Sequence, residues 1–464
     1  MTWPRRPSIV RLSLLVAVWS GVVRCAPEGR LAAQPWPPPD PPPVLTEPAG
    51  ALMTSPSLPV HGQVLDGERD VPLRGASIWS GSLDTVTDAD GRFSLGPLPV
   101  GSALVVKLPG FARARLVAEP GPLTIRLRPQ VVRGLYLSYY GLGDSRIRRR
   151  LLDLVERTEL NGLVIDVKGD RGMIPYPTRI PLALAAGAQG PVRVENVEGL
   201  LAALRDQGVY TVARIVAFKD TVLAHHRPDL AVMDGETGRP WLDNEGLAWV
   251  DPFREETWAY LIAVAREAAA KGFDEIQFDY LRFPSEGRLG AARYARPNTQ
   301  ANRLAAITEF LARTRRELGP TGVFLSVAVF GYTAFNGDDT RIGQRVEELA
   351  AQVDYLCPMV YPSGYHLGIP GFPNPVAHPY EVVRESVSRM RRRSAHTAAR
   401  IRPWLQDFRD YGFDRRPFGA VEIRAQIRGA TEAGAVGWML WNPRNDYTEE
   451  ALGPEPGRVQ PPTR

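Results

Sequence analysis

Cysteine is scarce in this chain, which has only Cys25 and Cys357 among its 464 residues. Two cysteines allow one internal disulfide at most, and none once Cys25 is lost with an N-terminal signal. Cys357 lies in an apolar stretch without a histidine nearby in sequence, so we expect a buried structural thiol and not a nucleophile. The six histidines, including the pair His225-His226, lack the spacing of a zinc site. The sequence therefore predicts no metal and no cofactor.

Long apolar runs and basic stripes are missing as well. Outside residues 13–23, no segment is long and apolar enough to span a bilayer, so we expect no transmembrane span in the mature chain. The formal net charge of +5 comes from scattered arginines that are not interleaved with aromatic residues, which argues against nucleic-acid binding. No glycine-rich phosphate loop appears, and its absence disfavours a nucleotide-binding, doubly wound sheet.

The N-terminus has the pattern of an export signal. A positive segment, Arg5-Arg6, precedes an apolar core at residues 13–23 that is too short for a stop-transfer helix. We predict a signal peptide over residues 1–33 and a secreted, periplasmic or cell-envelope location. Lipid attachment at Cys25 is disfavoured because Arg24 stands where a small residue is wanted.

Composition and rhythm divide the remainder into four segments. Residues 34–59 are proline-rich and predict an extended linker. Residues 60–129 contain short strands separated by turn residues, which is typical of a small β-sandwich. Residues 130–452 alternate strands with helices, and residues 453–464 predict a disordered tail.

The sandwich segment contains a recognisable turn. The stretch Thr87-Asp-Ala-Asp-Gly-Arg-Phe-Ser-Leu95, followed by Leu98-Pro-Val-Gly101 and Pro109-Gly-Phe111, resembles the carboxypeptidase regulatory-like domain. That resemblance implies a β-sandwich that is non-catalytic. The acids Asp88 and Asp90 are better explained as turn formers than as calcium ligands.

Eight strands alternate with helices in residues 130–452. The predicted strands are 134–140, 162–168, 210–218, 275–281, 323–330, 353–361, 401–408 and 437–441. The predicted helices are 144–159, 197–207, 254–271, 303–318, 343–351, 382–393 and 421–433. This number and order predict an α/β protein whose main domain is a (β/α)8 TIM barrel, preceded by a small N-terminal all-β sandwich.

Acids and aromatic residues follow the predicted barrel strands, at the end where such barrels keep their active sites. The candidate acids are Asp166, Asp170, Asp220, Asp279 and Asp407. The candidate aromatic residues include Tyr280, Tyr361, Trp404 and Trp441. Aromatic rings cover the apolar face of a sugar, while carboxylates transfer protons and stabilise positive charge at the anomeric carbon. Each single ring has packing inside the barrel as its alternative.

Four segments are similar to the glycoside hydrolase-like family known as domain of unknown function 4015. They are Val164–Gly172, Gln277–Pro284, Cys357–Pro362 and Gly437–Asn442. The resemblance spans residues 132–450 and implies a TIM-barrel glycosidase fold, with relatives among the α-glycosidase barrels. It implies that the acid at the end of strand four, Asp279, is the nucleophile, but it implies no particular substrate.

A glycosidase needs a second carboxyl group, at about 5 Å for retention and about 6.5–9.5 Å for inversion. The predicted strands five and six end without an acid. We therefore expect Asp166 to be the partner, because a neighbouring strand brings it near Asp279. Asp407 is an alternative, as are Asp338 and Asp339 if their loop folds over the mouth.

Three cations complete the predicted site. Lys168 and Arg282 either bind a carboxylated sugar and keep the acids ionised, or neutralise buried aspartates for stability. Arg214 lies in the middle of a strand, so we expect it to pair inside the barrel with Asp166 or Asp279.

These features predict an exported glycoside hydrolase that cleaves a cell-envelope or extracellular polysaccharide by paired-carboxylate chemistry. The alternative is a non-catalytic carbohydrate-binding barrel that has lost its acid partner. A polysaccharide deacetylase is a third hypothesis, but that chemistry usually requires a set of aspartate and histidine metal ligands that the sequence does not show.

Overall fold

The computed structural model describes residues 57–453. The predicted signal peptide, nearly all of the predicted linker and nearly all of the predicted tail lie outside these residues. The predicted linker ended at residue 59, whereas the first strand already begins at Ser57.

An all-β unit comes first. Its strands are β1 Ser57–Asp66, β2 Ser77–Ser80, β3 Leu83–Val86, β4 Arg92–Pro99, β5 Ala103–Lys107, β6 Ala114–Val117 and β7 Leu123–Leu127. They form two sheets, one in the order β4-β1-β7 and the other in the order β3-β2-β5-β6. Along β4, Phe93 and Leu95 are buried while Arg92 and Ser94 are exposed, so alternate side chains build the core of this unit. Its identification as a carboxypeptidase regulatory-like domain stays a prediction.

The structure of the turn before β4 explains why aspartate and glycine occur in it. The Oδ1 atom of Asp88 accepts hydrogen bonds from the backbone N–H groups of Asp90 and Arg92, at 2.9 Å and 2.8 Å. Gly91 has φ +69°, and a Cβ atom there would lie 2.5 Å from the carbonyl oxygen of Val64. Only glycine fits both the conformation and the space.

The barrel strands follow in chain order, with two short strands in the loops. They are β8 Val132–Leu137, β9 Gly162–Lys168, β10 Tyr210–Val216, β11 Met233–Asp234, β12 Glu275–Asp279, β13 Ala292–Arg293, β14 Phe324–Phe330, β15 Tyr355–Met359, β16 Arg400–Ile401, β17 Trp404–Gln406 and β18 Gly437–Trp441. The sheet runs β14-β12-β10-β9-β8-β18-β17-β15, and β14 pairs with β15 to close it. All of these pairings are parallel, so the main domain is a closed (β/α)8 barrel, as predicted.

Helices separate the strands. They are α1 Tyr139–Gly143, α2 Ser145–Arg157, α3 Pro181–Ala186, α4 Val197–Asp206, α5 Thr221–His226, α6 Glu255–Lys271, α7 Gln300–Leu318, α8 Val346–Ala350, α9 Pro379–Arg393 and α10 Ala420–Glu432. The predicted helices match seven of these to within a few residues, and α1, α3 and α5 were not predicted. Within residues 57–453, no helix has both the length and the apolar character needed to cross a membrane.

Most predicted strands end within about two residues of the observed ones, and two of the differences have a local cause. The first strand ends at Leu137, because the Oγ atom of Ser138 caps the following helix by accepting a hydrogen bond from the backbone N–H of Gly141 at 3.1 Å. The seventh strand is split into β16 and β17 by Pro403, whose ring nitrogen has no hydrogen to donate to the sheet.

The all-β unit packs under the amino-terminal end of the barrel. Lys107 Nζ donates hydrogen bonds to Asp354 Oδ2 and to the carbonyl oxygen of Val323, each at 2.7 Å. Arg113 forms an ion pair with Asp274 at 2.9 Å. Since all three barrel residues directly precede strands, this interface lies opposite the end at which the strands finish. The carboxyl-terminal mouth of the barrel is left clear of the all-β unit.

Candidate active site

Three adjacent strands bring Asp166, Arg214 and Asp279 together at the carboxyl-terminal end of the barrel. In the β9–β10 register Arg214 lies opposite Asp166, and in the β10–β12 register Val216 lies opposite Asp279. Arg214 therefore sits between the two acids and slightly below Asp279. This placement follows from parallel pairing, because parallel strands end at the same edge of a sheet.

Arg214 joins the two acids. Its Nη1 donates to Asp166 Oδ1 at 2.6 Å, while its Nε and Nη2 donate to Asp279 Oδ2 at 3.0 Å and 2.6 Å. All three side chains are buried. A guanidinium is suited to this position because its five N–H donors point in fixed directions. The structure thus shows Arg214 in contact with both of the acids that the sequence analysis proposed.

Asp166 is held on every side. Its Oδ2 accepts a hydrogen bond from the hydroxyl of Tyr136 at 2.6 Å and another from the backbone N–H of Tyr139 at 3.1 Å. Burial raises the pKa of Asp166, and the Arg214 guanidinium and the Tyr136 hydroxyl oppose that rise. Burial also raises the pKa of Tyr136 well above its ordinary value, so this phenol stays protonated and acts as a donor.

Asp279 lies nearer to solvent. Its side chain is 9% exposed, against 5% for Asp166. Its Oδ1 accepts a hydrogen bond from the backbone N–H of Tyr280 at 2.7 Å. Tyr280 itself has φ +49°, which is costly for a bulky residue and is a kind of strain that collects at functional sites.

Aromatic rings flank the pair. Trp441 is half-buried, stacks on Tyr136 with a centroid distance of 3.9 Å, and lies 4.9 Å from the Arg214 guanidinium. Tyr361 is also half-buried, and Asp279 and Arg214 both influence its pKa, which burial raises well above the ordinary value. These rings therefore lie beside the acid pair and its arginine.

Trp404 does not lie beside the acid pair as Trp441 and Tyr361 do. It is 2% exposed, and its Nε1 donates to Gln277 Oε1 at 3.1 Å inside the barrel. Trp404 is therefore a packing residue of the barrel interior. Packing was the alternative interpretation that the sequence left open for each aromatic residue.

Lys168 is not part of the site either. The β9–β10 register shifts by one residue after Arg214, so that Lys168 lies opposite Ile215, which packs in the core outside the barrel. The shift turns Lys168 to the other side of the sheet. There its ammonium pairs with Asp220 at 2.8 Å and donates to the carbonyl oxygen of Val216 at 2.6 Å, with no exposed surface. Lys168 neutralises a buried aspartate, and the expectation that it binds substrate is not supported.

Two other candidate acids, Asp407 and Asp339, have local partners. Both oxygens of Asp407 are bound by Thr448, through its hydroxyl at 2.8 Å and its N–H at 3.0 Å. Asp339 is gripped by the guanidinium of Arg303. Among residues 57–453, neither acid contacts Asp166, Arg214 or Asp279 through a hydrogen bond, so the structure does not bring Asp407 into the pair.

A second group of charges lies beside Tyr280, on the loops after β10 and β12. Lys219 Nζ pairs with Asp243 at 3.1 Å and with Glu245 at 2.8 Å, and it lies 5.0 Å from the centre of the Tyr280 ring. Arg282 lies on the same ring, at 4.9 Å from its centre. The loop after Asp279 thus carries a cation and an aromatic ring into the mouth.

Glu286 is a residue of this loop that the sequence analysis missed. It is half-buried, and its neighbour Gly287 packs against Trp241 and the backbone of Asp243. Burial raises the pKa of Glu286, a rise that the Arg282 guanidinium opposes. The carboxylate makes no hydrogen bond to any residue in the described part of the chain. Nothing in the local sequence Pro284-Ser-Glu-Gly287 signals this environment, because distant loops create it.

Metal ligation has no visible basis in residues 57–453, where no group of three or more histidine, cysteine, aspartate or glutamate side chains is placed to hold an ion. Cys357 is fully buried, and burial raises the pKa of its thiol to about 12, so it is inert as a nucleophile.

Comparison with known proteins places the barrel in a family. Residues 134–447, which are more than half of the chain, match the DUF4015 family, described as a "putative glycosyl hydrolase domain". No curated protein sequence matches the chain.

Several solved structures are similar. The glycoside hydrolase domain of PgaB (BpsB) from Bordetella bronchiseptica is 14% identical over 70% of this chain and 100% of its own, with a TM-score of 0.52. A hypothetical protein from Ruminiclostridium thermocellum ATCC 27405 is 38% identical over 42% of this chain and 96% of its own, with a TM-score of 0.37. An α-galactosidase from Thermus thermophilus is 20% identical over 78% of this chain and 72% of its own, with a TM-score of 0.42. The first of these structures shares the barrel fold, and the family match shows that this chain belongs to the DUF4015 family.

Proposed function

We propose that this chain hydrolyses O-glycosidic bonds in a cell-envelope or extracellular polysaccharide. One observation carries the proposal: Arg214 holds Asp166 and Asp279 together at the open end of a barrel, with Trp441 and Tyr361 beside them. A carboxylate held in this way beside aromatic rings suits the cleavage of a sugar acetal, because the transition state carries positive charge at the anomeric carbon. Membership of a glycosyl hydrolase family supports the same class of chemistry.

Asp279 is the proposed nucleophile, or the carboxylate that stabilises the cationic transition state. Two N–H groups of Arg214 stabilise negative charge on Oδ2. Oδ1 accepts only the N–H of Tyr280 among the described residues, so one lone pair of this oxygen is left for the substrate.

Glu286 is the proposed proton donor. A general acid needs a raised pKa and an oxygen that is free to face the leaving group. Burial raises the pKa of Glu286, whose carboxylate makes no hydrogen bond among the described residues. Asp166 suits that role less well, because Arg214, Tyr136 and Tyr139 already occupy its oxygens. We assign Asp166 the task of positioning Arg214.

The protein is proposed to act outside the cytoplasm. The export pattern of residues 1–33 supports this location. The all-β unit packs at the amino-terminal end of the barrel and leaves the carboxyl-terminal mouth free. This position suits a unit that presents the barrel to a polymer.

The second candidate function is carbohydrate binding without catalysis. Strands β14 and β15 end at Phe330 and Met359, so neither supplies an acid to the mouth. A barrel that had lost its acid partner would still present the aromatic rings.

Hydrolysis assays distinguish these candidates. The purified wild type is compared with Asp279→Asn, Glu286→Gln and the control Glu309→Gln, whose side chain is exposed on α7. The substrates are bacterial exopolysaccharides, peptidoglycan and α-glucans, and the readout is the release of reducing ends. We expect activity in the wild type and the control, loss in Asp279→Asn, and a decrease of about 10²- to 10⁴-fold in Glu286→Gln.

A leaving-group comparison tests the role of Glu286. If Glu286 is the acid, Glu286→Gln retains more activity on aryl glycosides with activated leaving groups than on the polymer, since such leaving groups need no proton. Equal loss on both substrates would contradict that role. Polysaccharide binding without release of reducing ends by the wild type would favour the binding protein.

A further inference from the structure

Arg282 is a buried cation with an unusual environment. It is 4% exposed, and its guanidinium lies 5.0 Å from the ring of Trp249, 4.9 Å from that of Tyr280 and 4.7 Å from that of Phe330. Aromatic rings on several sides fix the plane of the guanidinium and remove much of its water.

Only one nitrogen of this guanidinium is hydrogen-bonded within residues 57–453. Nη1 donates to the carbonyl oxygen of Phe283 at 3.1 Å and to Ser285 Oγ at 3.0 Å. No carboxylate in this part of the chain lies within ion-pair distance of Arg282. Burial lowers the pKa of its guanidinium. Nε and Nη2 have no partner there.

The free edge of Arg282 is not completely buried. Arg402, which lies inside the barrel, also has unpartnered nitrogens, but its Nε and Nη1 are completely buried. The Nε and Nη2 atoms of Arg282 are not among the fully buried unpartnered atoms of the described residues, so each keeps a small exposed surface. These two atoms are therefore the part of the guanidinium that a ligand could contact.

The same edge binds carboxylates elsewhere in this molecule. Arg303 grips Asp339 through Nε at 2.6 Å and Nη2 at 3.0 Å. Arg393 grips Glu347 through the same two atoms, each at 2.7 Å. Two parallel N–H groups match the two oxygens of a carboxylate better than any neutral sugar hydroxyl.

Arg282 is also close to the proposed chemistry. It follows Asp279 by three residues, and both residues contact Tyr280, Asp279 through the backbone N–H and Arg282 through the ring. A carboxylate on the free edge would belong to a sugar unit held next to the reacting bond.

We propose that Arg282 binds the carboxylate of an acidic sugar, so that the substrate is a polymer containing uronic acid units. This inference rests on the proposed function for its polysaccharide ligand. It adds the chemical class of the sugar bound beside Asp279.

Affinity gel electrophoresis tests the proposal without requiring turnover. The full-length protein is run through gels containing polygalacturonate, alginate or hyaluronan, each beside its carboxyl-reduced form. Arg282→Gln and Arg282→Lys are compared with Arg227→Gln, in which an exposed arginine that pairs with Asp229 is lost. Because the two glutamine variants lose the same charge, nonspecific attraction between a positive protein and an acidic polymer cancels.

We expect the wild type and Arg227→Gln to bind at least one acidic polymer about 10- to 100-fold more tightly than its reduced form. Arg282→Gln should lose that preference, and Arg282→Lys should keep only part of it, because lysine retains the charge without the fork. If Arg282→Gln does not fold, as judged by circular dichroism, Arg282→Lys and the wild-type preference decide.

Equal binding of acidic and reduced polymers by the wild type would overturn the proposal, as would binding of dextran sulfate as tight as that of the polyuronates. Hydrolysis confined to neutral polymers, unaffected by Arg282→Gln, would also overturn it while leaving the glycoside hydrolase assignment intact. An Arg282-dependent preference for acidic polymers without hydrolysis would support the carboxylate site and count against the enzyme.

Discussion

Arg214 donates two hydrogen bonds to a single oxygen of Asp279, from Nε at 3.0 Å and from Nη2 at 2.6 Å. The remaining nitrogen, Nη1, reaches Asp166. One guanidinium thus balances two buried carboxylates, which leaves the three groups with a formal charge of −1. Such an arrangement is costly to assemble and suited to a site that must meet developing positive charge.

Removing Arg214 should destabilise the fold as well as abolish activity. Arg214→Met leaves two carboxylates buried without a cation, and we expect a loss of about 3–5 kcal/mol in the free energy of unfolding. Urea denaturation measures it. The control Arg227→Met removes a pair whose side chains are 39% and 59% exposed, and it should cost about 0.5 kcal/mol or less. Equal effects of the two substitutions would contradict the bridging role.

Replacing Tyr280 by glycine should leave the protein more stable than replacing it by alanine. Both substitutions remove the ring, but at φ +49° alanine keeps the strain of a left-handed residue while glycine does not. We expect Tyr280→Gly to exceed Tyr280→Ala in unfolding free energy by about 1–2 kcal/mol. Thermal unfolding of the two variants measures the difference. An alanine variant at least as stable as the glycine variant would show that the backbone carries no strain there.

Asp407 should make stability depend on pH. Burial raises the pKa of its carboxyl from 3.8 to about 6 in the folded protein. Between these values the folded protein binds more protons than the unfolded chain, so the unfolding free energy falls as pH rises through this window. The contribution amounts to about 3 kcal/mol.

The variant Asp407→Asn isolates this effect. Asparagine does not titrate, and it can still bond Thr448 twice: its Oδ1 accepts from the backbone N–H and its Nδ2 donates to the hydroxyl. The stability of wild type relative to the variant should therefore fall between pH 4 and pH 6, a window of about two units. Denaturation at a series of pH values gives the curve. The exposed residue Asp338, changed to asparagine, serves as the control. Parallel curves for wild type and Asp407→Asn would refute the assignment.

Adding a side chain at Gly322 should disrupt the contact between the all-β unit and the barrel and lower the stability of the protein. This glycine has φ +76°, and an added Cβ would meet Val105 of the all-β unit. Gly246 has φ +72° and open space around it, so alanine there carries the strain alone. We expect Gly322→Ala to cost about 1–3 kcal/mol more than Gly246→Ala in thermal unfolding.

A double variant tests whether the cost comes from the interface. In Gly322→Ala with Val105→Ala the clash is relieved, so the two substitutions should cost less together than the sum of their separate effects. Strict additivity would place the strain elsewhere.

Several site residues followed from local pattern and several did not. The alternation that ends at Asp279 was enough to place an acid at the mouth, because side chains alternate strictly along a strand. The same rule would turn Lys168 into the mouth, but a register shift between β9 and β10 turns it to the opposite side, where it neutralises Asp220 as the alternative interpretation held. A shift of this kind is set by the partner strand and leaves no mark in residues 162–168.

Loop residues were the hardest to foresee. Glu286 and the free edge of Arg282 acquire their character from Trp241, Asp243 and Trp249, which lie some 40 residues earlier in the chain. Burial and the approach of charges from another loop are tertiary effects, and no local pattern encodes them.

The barrel, the all-β unit before it and the acids at the strand ends could be predicted from local pattern, because alternation and turn residues act over a few positions. Only the folded chain shows that Arg214 bridges both Asp166 and Asp279 instead of pairing with one of them, that Asp407 pairs with Thr448, and that two nitrogens of Arg282 are left without a partner among the described residues. These outcomes depend on strand register and loop packing, which join residues distant in the chain and set their charges by burial.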